Sequence, residues 1–169
     1  MPHRSLLVLL AAAIATLNVA AQGQTPAPPP LTYERVITGT WKDLHDKILV
    51  MAKDTQYPED KLQWKPHPDS RTVMQELRHV TIGLRMTSAL ARGEKFDFEA
   101  QEKADEQKPK TRASVVSEME AAIAESYPLV EKSQAPRLVG WLEHQGEHYG
   151  KMVTAYRVNG IVPPISRKN

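Results

Sequence analysis

Near the C-terminal end of the chain, the stretch 141-WLEHQGEHYGKM-152 places His144 and His148 four residues apart, each beside a glutamate. On a helix that spacing brings both side chains over the same turn, where two imidazoles can converge on one cation. Their neighbours Trp141, Leu142, Met152 and Val153 are apolar. The pair therefore either fills a core, satisfied by nearby hydrogen bonds, or forms part of a metal site. The sequence has no cysteine, so a transition-metal site must be built from His, Asp and Glu. The same absence excludes disulfides, a protein thiol nucleophile and a zinc ribbon.

Two familiar patterns do not fit. The letters His144-Gln145-Gly146-Glu147-His148 match the H-x-x-E-H of inverzincin proteases, but no Asp or Glu follows His148 to act as the further ligand. The segment 76-ELRH-79 is an E-x-x-H, of which di-iron bundles need one on each of two helices. Only one copy is present, and Glu76 alone reads as a solvated residue.

A third imidazole is better supplied by His79, which lies in an apolar stretch beside Val80. His3 belongs to the N-terminal leader, and His67 to a proline-rich loop. His45 stands one position off its helix's apolar stripe and reads as a surface residue, with a reserve-ligand or supporting role as the alternative. His79, His144 and His148 thus form the proposed ligand set. Three protein ligands leave a position open for water or substrate, which is the pattern of a reactive centre. Glu147 is the candidate catalytic residue, orienting an imidazole or shuttling a proton, with a solvated glutamate as the simpler alternative.

The elements that must position these residues are helical. Residues 1–21 read as a signal peptide: Arg4, an apolar run over 6–17 too short to span a bilayer, and Val19-Ala20-Ala21 before Gln22. Residues 22–31 (QGQTPAPPPL) are a proline-rich linker. The folded domain spans 32–169. The first helix is expected over 33–56, with Ile37, Trp41, Leu44, Ile48 and Met51 on one stripe. A loop with two prolines follows. The second helix runs from about 71 to 92, capped by Asp69 or Ser70 and closed by Gly93. The charged stretch 94–110 reads as a long mobile connection.

A third helix starts after Thr111 and reaches about 131, with Pro128 disturbing its last turn. A fourth begins near Pro136 and ends at Asn159-Gly160. Four helices and no strand pattern predict an all-α four-helix bundle. The 22 Lys+Arg and 20 Asp+Glu are nearly balanced and interspersed, so nucleic acid is not an expected partner. No transmembrane span is expected after signal removal.

Three segments together resemble the DinB-like (damage-inducible) superfamily, in particular its exported bacterial branch. They are 57-YPEDKLQWKPHPDSRTVMQELRHV-80, 144-HQGEHYGKM-152 and 156-YRVNGIVPP-164, and the likeness covers about residues 33–164. The resemblance implies a bundle with a divalent metal, typically zinc or nickel, on three histidines at positions matching His79, His144 and His148. It also implies a homodimer. Some cytoplasmic relatives are thiol-dependent transferases or isomerases, and the export signal sets this chain apart from them. The leading expectation is a periplasmic or extracellular metal-dependent hydrolase or transferase acting on a small molecule. The alternative is a non-enzymatic metal- or ligand-binding, stress-response bundle. A third possibility is a helical domain whose histidines only pack.

Overall fold

Every element of the computed structural model is helical. It describes residues 30–109, 111–132 and 137–168. The expected signal peptide over 1–21 and most of the linker over 22–31 lie outside the described residues. Five helices follow in order: α1 Tyr33–Lys53, α2 Val73–Ala91, α3 Phe98–Asp105, α4 Arg112–Lys132 and α5 Arg137–Val158. Short 3-10 turns stand at Asp60–Gln63 and Pro164–Ser166. No strand occurs among the described residues, and none of their helices is long and apolar enough to cross a membrane.

The ends of these helices are set by side-chain chemistry. α1 stops three residues earlier than the apolar stripe implies, because Asp54 turns its carboxylate to the backbone N–H of Gln56 (3.1 Å) and to Arg167. α2 starts at Val73, two residues later than expected. Its cap is Thr72, whose hydroxyl accepts from Gln75 N while the Gln75 side chain accepts from Thr72 N. That reciprocal pair satisfies two orphan donors at once, which neither Asp69 nor Ser70 does here. Gly93 and Gly160 close α2 and α5 with φ of 76° and 73°, a backbone state that suits glycine. α4 carries Pro128 and still continues to Lys132.

α2 occupies the middle of the fold and touches α4, α5 and α3. It is buried nearly all round, not along one stripe. Leu77, Val80 and Leu84 enter the common core with Trp41, Ile48, Met119 and Met152. Its buried hydroxyls are satisfied within the helix, Thr81 donating to Leu77 O at 2.9 Å and Thr87 to Gly83 O at 3.0 Å. Full burial leaves the polar side chains of α2 to find partners inside the protein.

The expected mobile connection is a correction: it contains α3. FEAQEKAD has no apolar stripe, and its only buried residue is Asp105. Polar contacts dock it. Arg78 of α2 donates to Asp105 through Nε and Nη2, with the Arg78 side chain 5 % and the Asp105 side chain 11 % exposed. The Asp97 side chain caps the helix by accepting from Ala100 N. Arg78 is therefore not the exposed arginine that composition favours.

Candidate metal centre

α2 and α5 bring three imidazoles together. His79 comes from α2, and His144 and His148 from successive turns of α5. One nitrogen from each ring lies within 4.8 Å of the others, close enough to hold a metal ion. Ring centroids are 4.6 Å apart for His144–His148 and for His79–His148, and 5.8 Å for His79–His144. His148 is 1 % exposed and His79 9 %, while His144 is half-buried.

Two carboxylates fix which nitrogens are free. Glu76 Oε2 stands 2.6 Å from His148 Nδ1, and Glu102 Oε1 2.5 Å from His79 Nδ1. A carboxylate only accepts, so both Nδ1 atoms carry the proton and both Nε2 atoms keep a lone pair. That is the carboxylate–imidazole pairing which orients metal-binding histidines. His148 Nε2 and His144 Nε2 are 3.1 Å apart. A tetrahedral ion at about 2.1 Å from each nitrogen requires roughly 3.4 Å between ligands, so this pair already stands near that spacing. The residues therefore fit a divalent cation bound by three neutral imidazoles. In a site that only packs, His144 instead donates from Nε2 to the His148 lone pair.

Burial favours the neutral form of two of these ligands. Burial pushes the His79 and His144 rings down, and for His144 the neighbouring His148 adds to this. For Glu76, burial works upward, but the hydrogen bond and charge of His148, with Lys151 and Arg71, outweigh it and hold the carboxyl below the usual range.

Glu147 is exposed and makes no hydrogen bond or ion pair among the described residues, acting on His144 only through its charge. The carboxylates that reach the rings are Glu76, not solvated as its letters suggest, and Glu102, placed by α3 in the segment expected to be mobile. For Glu76 the E-x-x-H spacing was a usable signal, although its partner is His148 and not His79. For Glu102 no local signal exists. His45 is also a correction. It is 1 % exposed, with Nδ1 donating to Trp41 O at 2.7 Å and Nε2 without a hydrogen-bond partner among the described residues. His67 stays in its exposed loop beside Asp69. No protein-family model, curated protein or solved structure matches the chain.

Proposed function

We propose that this protein is an exported DinB-like four-helix bundle that binds a divalent metal, zinc or nickel, through His79, His144 and His148. In this reading α1, α2, α4 and α5 are the four helices of the bundle, and α3 is a short addition to the connection before α4. Residues 1–21 direct the chain to the periplasm or the exterior, and it works as a homodimer. One observation carries the metal reading. Three imidazoles converge, and two of them have Nδ1 tied to a carboxylate, which leaves Nε2 to bind a cation.

The reaction class we infer is hydrolysis or group transfer on a small molecule. A metal with three protein ligands supplies a Lewis acid and a water of lowered pKa at its open position. Glu76 and Glu102 keep the His148 and His79 protons on Nδ1 and hold the ring planes. Phe98 of α3 packs edge-on against His79, with ring centroids 5.0 Å apart. A non-enzymatic metal-binding protein is the second reading. It is favoured by the engagement of both nearby carboxylates with imidazoles, which leaves neither free as a general base.

The test is metal content by elemental analysis on residues 22–169, with thermal melts in the presence and absence of chelator. Near-stoichiometric metal that disappears in a His144→Ala/His148→Ala variant is expected. A wild type that takes up neither zinc nor nickel, and melts identically with chelator, would leave the histidines as packing. Light scattering on the same sample checks the dimer.

A further inference from the structure

A cavity of about 590 Å³ opens between the loop before α2, the first turn of α2 and the last turns of α5. That size suits a small metabolite. Its apolar walls include Trp64, Val73, Met152 and Ala155, and its cations are Arg71 and Lys151. Glu76, the carboxylate bonded to His148, forms part of its wall. Arg71 also lines a second cleft of about 200 Å³, together with His79 and Glu102. Arg71 thus borders both cavities, on the flank of the histidine cluster.

The charges in this cavity are unequally committed. The Glu76 carboxylate is taken by His148. Asp69 is 90 % exposed and faces His67. Lys151 makes no hydrogen bond or ion pair among the described residues, and it acts on Glu76 and His144 only through its charge. Arg71 holds a single long bond, 3.4 Å to Glu102. Both cations are therefore available, while both acids are occupied or turned to solvent. The loop that carries the wall is itself ordered by hydrogen bonds, Val73 N to Trp64 O at 3.3 Å and Ser70 N to His67 O at 3.0 Å.

We propose that this cavity is a binding subsite for a small molecule with an apolar or aromatic body and an oxyanion group, carboxylate or phosphate. Arg71 pairs with the oxyanion through its planar fork, Lys151 adds a second positive charge, and Trp64 with Met152 receives the body. As the substrate-recognition part of the site, the inference rests on the proposed metal centre; as a binding site it stands without metal. A ligand anchored at Arg71 lies beside the elements that carry Glu76 and His79.

Phenyl phosphate and benzoate serve as probes, with benzyl alcohol as the uncharged control, titrated by calorimetry. Three proteins are compared: the metal-loaded wild type, an Arg71→Gln/Lys151→Gln variant, and a His144→Ala variant that separates the subsite from the metal. Either anion is expected to bind in the high micromolar to millimolar range, typical of so small a ligand. The double cation variant should weaken it by roughly tenfold or more, the usual effect of losing charged hydrogen bonds. Preference between the two anions identifies the oxyanion. The His144→Ala protein should lose metal and keep the anion. Anion binding there, with no metal in any protein, would sink the metal reading and leave the subsite standing. Equal binding of benzyl alcohol, or affinity indifferent to Arg71 and Lys151, overturns the subsite. So does anion binding that occurs only when metal is loaded.

Discussion

Replacing Glu76 with glutamine separates a metal centre from a packed histidine cluster. Glu76 is 7 % exposed, and its Oε2 accepts from His148 Nδ1 at 2.6 Å. Glutamine keeps the shape, and its carbonyl oxygen can still accept that proton. The negative charge behind the ring is what disappears. Loss of such a supporting carboxylate typically weakens metal binding 10- to 100-fold, or about 1.4–2.8 kcal/mol. With zinc at 100 times the wild-type Kd, binding stabilises the fold by about 2.7 kcal/mol. A 30-fold weaker site at the same zinc concentration contributes only about 0.9 kcal/mol. The difference of about 1.8 kcal/mol corresponds to roughly 5–9 °C in Tm for a domain of this size. The assay is competition against a chromophoric chelator, paired with melts in zinc and in chelator. The expected result is a zinc-dependent Tm gain that shrinks while the metal-free melt changes little. An unchanged zinc affinity would refute the role assigned to Glu76. A loss confined to the metal-free melt would mean that the carboxylate serves packing alone.

Three further outcomes follow from the packing. Arg78→Met leaves the buried Asp105 carboxylate with only Lys108, 3.8 Å away, at a cost below the roughly 3–5 kcal/mol of a buried charge left wholly unpaired; amide exchange in α3 should rise and zinc affinity fall as Glu102 is released, and unchanged α3 protection would contradict the docking mechanism. Burial pushes His45 down to about 4, against about 6.5 in the unfolded chain. Between those pH values the unfolded state takes up a proton that the folded state refuses, so stability is lost as pH drops from about 6.5 to about 4, by up to about 3 kcal/mol, and is fully present above that range. His45→Leu should remove that share of the acid destabilisation, read from urea midpoints at pH 7 and 4.5. In Gly83→Ala the new Cβ overlaps the end of the Gln145 side-chain amide, which is 1 % exposed and must move within the core to make room; overpacking of about 1–3 kcal/mol should outweigh a helix-propensity gain of about 1 kcal/mol. A higher Tm would show that Gln145 has room.

The features legible in the chain's letters are local. The i, i+4 spacing of His144 and His148 guarantees their proximity once residues 137–158 are helical, because 3.6 residues per turn fixes neighbours without reference to the rest of the chain. The positive-φ ends at Gly93 and Gly160 are legible for the same reason. His79 was reachable by elimination among six histidines and by its apolar surroundings. The remaining features depend on how the helices pack. α2 is enclosed by three helices, and a periodic stripe cannot announce that a helix is buried all round. The burial of Glu76, Arg78 and His79 was therefore hidden. α3 has no stripe at all, since it is held by Arg78–Asp105 and Glu102–His79, pairs 27 and 23 residues apart. Partners at such separations are chosen by where the chain returns in space, and a carboxylate's letters are the same whether it meets water or an imidazole.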